Sequence, residues 1–236
     1  LEALVARGLA RSGFPTLRIR PDADPLHREI DPGRRLDEIE AAAELLRAET
    51  GVEAVGLAGT LFGGTLAALA ADRLGLAEIA LIQPATRGRQ YARELLRREA
   101  VAQLLGGDGE TPPAAPGRDG AGPMHDLSAA GLAWIRGLSL TQEAFDAISA
   151  VKLVEDLRAF RGRSLLVDIS PGGAISTGVQ KLADRLGELG GEVAVEPIAD
   201  PLYAPLGEYY YRDAGLLRID TRLELDRRIA DAVSAW

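Results

Sequence analysis

Apolar residues along this chain follow two rhythms, one helical and one strand-like, and the two take turns. Leu1 to Ser12 carries leucine and valine at helical intervals, and Gly13 closes the segment as a glycine past a helix end does. Phe14 to Arg20 then reads as a strand, with Leu17 and Ile19 alternating against Arg18 and Arg20. Residues 21 to 34 are a loop rich in proline and aspartate. A second helix is predicted from Leu36 to Glu49, with Ile39, Ala43 and Leu46 on one side and Gly51 ending it. Val52 to Ala58 reads as a buried strand, Thr65 to Arg73 as a helix, Ile79 to Gln83 as a strand. After Pro84 a long helix is expected from Gly88 to Leu105, carrying Tyr91, Leu95, Leu96, Val101 and Leu105.

The second half repeats the alternation after an interruption. Residues 106 to 123 are crowded with Gly, Pro, Ala and Asp, so 106–127 reads as a flexible linker. A cap-like insertion is expected over 128–160. There Trp134, Ile135, Leu138 and Leu140 precede a helix-capping signature at Thr141, followed by Glu143 and Phe145. Ser164 to Ile169 is the next strand, Thr177 to Leu189 a helix, Glu192 to Ile198 a strand, and Leu223 to Trp236 a final amphipathic helix. The runs Val52–Ala58 and Ile79–Gln83 are apolar on both faces, the mark of parallel strands covered by helices. The prediction is an α/β fold in one domain spanning 1–236.

Composition narrows the chemistry. The 236 residues suffice for one sizeable core, and with 47% hydrophobic residues no apolar run approaches membrane-spanning length. Thirty-five acidic against 27 basic side chains leave a net charge of −8, which disfavours nucleic acid as a partner. The absence of cysteine excludes disulfides and thiolate chemistry, and it fits a cytoplasmic setting. His27 and His125 are the only histidines, with nothing at metal-ligand spacing, so no metal and no cofactor are expected. The chain starts with Leu1 inside the first helix and shows no signal-like segment.

The turn Gly59-Thr60-Leu61-Phe62-Gly63-Gly64 carries the most information. Strand, tight glycine turn and helix form the setting in which G-x-S-x-G exposes a nucleophile, but Leu61 occupies the tip and has no atom to attack a carbonyl. Thr60 beside it would need a neighbouring base, and a turn hydroxyl bonded to its own backbone is the plainer account. Thr65 reads as a cap or packing residue. Asp24, His27 and Tyr91 are the remaining acid–base candidates. Asp24 with Asp22 also fits turn stabilisation, and His27 and His125 also fit exposed loop positions. Arg87 and Arg89 follow a strand at its carboxyl end, where ligands sit in open α/β folds, and could hold a phosphate or carboxylate or pair with acids. Gly172 and Gly173 offer backbone N–H groups ahead of a helix as an anion nest. Tyr203, with Tyr209, Tyr210, Tyr211, Leu202 and Leu206, would cover a pocket, face a partner, or pack locally.

This order of elements, together with the glycine turn, resembles the α/β-hydrolase fold. More narrowly the chain is similar to the hydrolase-like proteins associated with the exosortase A system of bacterial surface and exopolysaccharide loci. The phrase Leu81 to Tyr91 (LIQPATRGRQY), the block Leu138 to Leu157, and Asp22 to Pro25 with Asp24 carry that similarity. The resemblance implies a mostly parallel sheet flanked by helices with a small cap. It also implies an N-terminal strand and loop ahead of the first helix, which this sequence lacks. The acid expected after Ser164–Ile169 is missing from Ser170 to Ala174, Asp168 lies inside the strand, and no histidine occurs in Ala199 to Tyr211. The expectation is a catalytically degenerate hydrolase-like protein. It would bind a small anionic or acyl ligand, a second copy or another protein. The competing expectations are an active esterase, thioesterase or acyl-transfer enzyme with noncanonical groups, and a structural subunit of an oligomer.

Overall fold

The computed structural model describes residues 1–19, 31–104, 132–135, 138–200 and 217–236. The chain divides into two compact units. The larger comprises Leu1–Ile19, Arg35–Thr86 and Lys152–Trp236, and the smaller comprises Arg20–Arg34 and Arg87–Val151.

The larger unit is built on four parallel strands. β1 (Gly56–Thr60), β2 (Glu78–Ile82), β5 (Arg163–Ser170) and β6 (Glu192–Ala199) pair in the order β1-β2-β5-β6. Period-two alternation splits their side chains between two cores. On one face Ile79, Leu81 and Leu166 pack with α3 (Phe62–Leu74), α6 (Leu153–Asp156) and α7 (Thr177–Glu188) through Ala68, Leu153, Leu182 and Leu186. On the other, Ala80, Ile82, Leu165, Val167 and Ile169 meet α1 (Glu2–Arg11) and α8 (Leu217–Ala235) through Val5, Leu225 and Ile229. β5 lies between two partners and is buried from Ser164 to Ile169, as a covered parallel strand should be.

Helix α2 (Pro32–Thr50) begins four residues before the expected Leu36. Asp31 accepts the Gly33 N–H at 2.9 Å, and proline is well suited to a first helical position. Over its part in the larger unit, Asp37 and Glu40 both bind Arg73 of α3 and push that guanidinium's pKa up, the Asp37 hydrogen bond foremost. Asp72, on the same helix, accepts the backbone N–H groups of Ala159 at 2.7 Å and Phe160 at 2.6 Å. That carboxylate seats the loop that delivers Leu157 and Phe160 to the core.

The smaller unit holds α4 (Gly88–Leu104), an antiparallel hairpin of β3 (Leu132–Ile135) and β4 (Leu138–Thr141), and α5 (Gln142–Ala150). Thr141 caps α5 as its sequence signature predicts, its Oγ1 accepting the Ala144 N–H at 3.1 Å. Gly88 N donates to Val151 O at 2.9 Å, and a side chain at Gly88 would run into the Ile148 carbonyl. The hairpin is not evident in the sequence reading of 128–160, because its strands are only four residues each. Leu153, Leu157 and Phe160 belong to the core of the larger unit.

Three expectations need correction. Phe14–Ile19 is not a strand: it pairs with nothing among the described residues, and Phe14, Leu17 and Ile19 stand 58%, 44% and 39% exposed. Alternation alone cannot make a strand without a ladder partner. The strand placed at Val52–Ala58 lies at Gly56–Thr60 and is not covered on both faces, since Gly56 and Ala58 are exposed and only β2 pairs with it among the described residues. Helix α3 accordingly starts at Phe62, not Thr65. Helix α8 starts at Leu217, six residues before Leu223, because no glycine or proline interrupts 217–223. The 106–127 linker lies outside the described residues.

Candidate functional site

The carboxyl end of β1 runs straight into the glycine turn. Leu61 N continues the parallel ladder to Ile82 O at 2.9 Å, and the chain then reverses into α3. Leu61 does so at φ +51°, ψ −122°. This is the mirror-image region that type II′ turns reserve for glycine, and a side chain held there is strained by about 1–3 kcal/mol. The structure holds it in place from several sides. Leu61 O accepts N–H groups from Thr65 and Ala85, both at 3.2 Å. The fully buried Thr65 hydroxyl lies 2.8 Å from Ala85 O and 3.4 Å from Leu61 O. Thr65 is thus both a packing residue and the bolt joining the turn to the loop after β2.

The strain predicts an inverted stability order. In ordinary positions alanine is more stable than glycine by roughly 0.5–1 kcal/mol. At position 61, Leu61→Gly is expected to exceed Leu61→Ala by about 1–2 kcal/mol, since both remove the same side-chain burial and only glycine relieves the strain. Urea unfolding of the two variants checks this; the ordinary order would refute the positive φ.

Neighbouring strand ends are equally constrained. Gln83, just past β2, also has φ +51°. Its N–H reaches Val167 O at 2.8 Å, its Oε1 accepts the Ile169 N–H at 2.6 Å, and its Nε2 donates to Ile169 O at 3.2 Å. The side-chain amide imitates one more peptide of the ladder, which sequence reading missed because nothing local distinguishes this glutamine from a surface one. Asp168 is wholly buried on the α7 side of β5. Its Oδ2 accepts the Ser176 N–H at 2.5 Å, while its Oδ1 has no partner. Ser176 in turn caps α7 through Val179 N at 3.3 Å.

The nest expected at Gly172–Gly173 is altered. Gly173 is left-handed at φ +69°, and its N–H is committed to Ser170 O at 3.2 Å, so it does not face a ligand. Thr60 does not bond its own backbone as expected: its Oγ1 donates to Glu2 Oε1 of α1 at 3.1 Å. No imidazole stands between hydroxyl and carboxylate, and the described residues contain no histidine. Phe62 is buried in the first turn of α3. In the smaller unit Arg87 and Arg89 are exposed, and Tyr91 is half-buried in the first turn of α4, its N–H donating to Arg87 O at 3.1 Å. Asp22, Asp24, His27, His125, Tyr203 and Tyr209–Tyr211 lie outside the described residues.

Solved structures share the overall fold of this chain. Ferulic-acid-bound Est1E from Butyrivibrio proteoclasticus matches over 99% of this chain and 80% of its own, with 16% identity and a TM-score of 0.59. A second Est1E structure matches over 83% and 70%, with 16% identity and a TM-score of 0.52. The chain has the α/β-hydrolase fold. No family model and no curated protein matches it. Leu61 stands at the tip of the turn, between Gly59 and Gly63. Among the described residues no helix is long and apolar enough to cross a membrane.

Proposed function

We propose that this chain is a catalytically silent α/β-hydrolase-like protein that binds a small anionic or acyl ligand, or a protein partner. Leu61 carries the reading: a leucine occupies the strained tip, so the backbone device persists without an attacking atom. The described residues around it offer hydroxyls and carboxylates without a base between them. Assignment to a bacterial surface-polysaccharide system or a related pathway rests on the sequence similarity around Leu81–Tyr91. Arg87, Arg89, Gly172 and Tyr203 are the proposed ligand contacts. Because Est1E holds ferulic acid, an aryl carboxylate is a sensible first probe.

The test is hydrolysis of short- and long-chain acyl esters and thioesters by the wild-type chain and by Leu61→Ser. No turnover above buffer is expected from the wild type. Leu61→Ser is expected to stay at least about 10³-fold below a working triad, because a serine without its base lacks most of the catalytic unit. Wild-type turnover that is lost in Thr60→Val or in His27→Ala would overturn the reading and favour an active enzyme with displaced groups. The Thr60–Glu2 contact is the one observation on that side.

A further inference from the structure

A shallow, partly open concavity lies where α1 meets α8, on the opposite face of the sheet from α3. It encloses about 280 Å³ and is lined by Leu4, Arg7, Gly8 and Arg11 of α1 and by Arg227, Ala230 and Asp231 of α8. Three exposed arginines line it in a chain whose net charge is −8. Five arginines elsewhere are matched with carboxylates: Arg35 with Glu38, Arg73 with Asp37 and Glu40, Arg97 with Glu94, Arg163 with Glu78, Arg185 with Glu188, whereas Arg18, Arg87, Arg89 and Arg93 have no carboxylate partner among the described residues. Arg7, Arg11 and Arg227 have no ion pair among the described residues, although Asp231 lies one turn from Arg227.

This arrangement is not what α1 needs for its own stability. Arg7 and Arg11 are four residues apart, a spacing at which like charges repel, so the pair is a cost unless an anion sits between them. A cation in the last turn of a helix is favoured by the dipole, which accounts for Arg11, but Arg7 and Arg227 have no such support. Gly8 lets the two helices approach closely: a side chain there would strike Ser234 Oγ and come within 3.8 Å of Ala230 O. Leu4 and Ala230 line the recess with apolar surface.

We propose that the α1–α8 concavity binds a small phosphorylated polyol or sugar, its phosphate held by Arg7, Arg11 and Arg227 and a hydroxyl donated to Asp231. Three forked donors suit the three terminal oxygens of a phosphate better than the two of a carboxylate. Asp231 would repel a bare dianion, so it selects a ligand that brings a hydroxyl beside the phosphate. The volume is at the small end of ligand sites, which run roughly 300–1,000 Å³, and accommodates a molecule of monosaccharide size. The site is independent of the Leu61 turn and of the reading built on it.

Isothermal titration calorimetry on the full chain, with glucose 6-phosphate, inorganic phosphate and glucose as probes, tests this. Glucose 6-phosphate is expected to bind more tightly than inorganic phosphate, and glucose to give no heat. Arg7→Gln and Arg227→Gln are each expected to weaken glucose 6-phosphate about tenfold or more. Asp231→Asn should bring glucose 6-phosphate toward inorganic phosphate. These side chains are surface-placed and unpaired, so circular dichroism melting should confirm that each variant stays folded. No heat from glucose 6-phosphate, or an affinity unmoved in both arginine variants, would overturn the proposal. So would equal binding of glucose, or of inorganic phosphate, by the wild type.

Discussion

Replacing Gly59 by alanine is expected to remove about 3–5 kcal/mol of stability, a large share of the roughly 5–15 kcal/mol a domain possesses. The added Cβ would strike the Gly63 carbonyl oxygen and lie 2.6 Å from Gly63 C and 2.7 Å from Gly64 N. These are backbone atoms in the first turn of α3, so no side-chain rotation can make room. Either the helix slides off the end of β1 or the turn at Leu61 opens, and both break the bonds to Ile82, Ala85 and Thr65. Gly63→Ala is the internal control. A Cβ there meets nothing within 4 Å, and alanine in a helix is favoured by roughly 0.5–1 kcal/mol, so that variant should be neutral or slightly stabilised. Urea midpoints for the two would differ widely; equal midpoints would mean that the close approach of Gly59 to α3 is wrong.

Leu166→Ala should be comparably damaging, at about 3–5 kcal/mol. Leu166 is fully buried on the central strand β5, among Ile79, Leu81, Leu182 and Leu186, and both neighbouring strands hold it in register. The truncation loses its transfer energy and leaves a void that a clamped strand cannot close. Leu17→Ala, by contrast, is expected to cost less than about 0.5 kcal/mol, because Leu17 is 44% exposed on an unpaired segment. Both leucines lie in segments that the sequence reading takes as strands. Equilibrium unfolding of both variants separates them; a large loss from Leu17→Ala would show that Phe14–Ile19 is covered in solution.

That contrast marks how far local pattern reaches. Helical periodicity located α1, α4 and α7 to within one or two residues, and glycine at Gly13 and Gly51 stopped the chain where expected, both with positive φ. Thr141 was legible as a cap because its partner N–H lies three residues away. The run Ile79–Gln83 was legible as a covered strand because both its faces are apolar, and β2 is buried from Ile79 to Ile82. These features depend on neighbours in the sequence, and amphipathicity alone encodes them.

The candidate site was legible only as a motif. Glycine spacing announced a tight turn with Leu61 at its tip, but the positive φ of Leu61 arises from the ladder bond to Ile82 on one side and the Ala85 and Thr65 contacts on the other. Gln83, bonded to Ile169, and Thr60, bonded to Glu2, find their partners 86 and 58 residues away. Gly173 likewise needed the turn back to Ser170 to show that its N–H was spent. The sequence by itself determined the alternation of strands and helices, the ends of α1, α4 and α7 and the leucine at the tip of the glycine turn, because each is a property of residues close along the chain. Only the tertiary structure decided which apolar runs became strands, which polar groups were paired, and that Arg7, Arg11 and Arg227 line one recess. Strand pairing, burial and charge neutralisation depend on residues brought together from far apart in the chain.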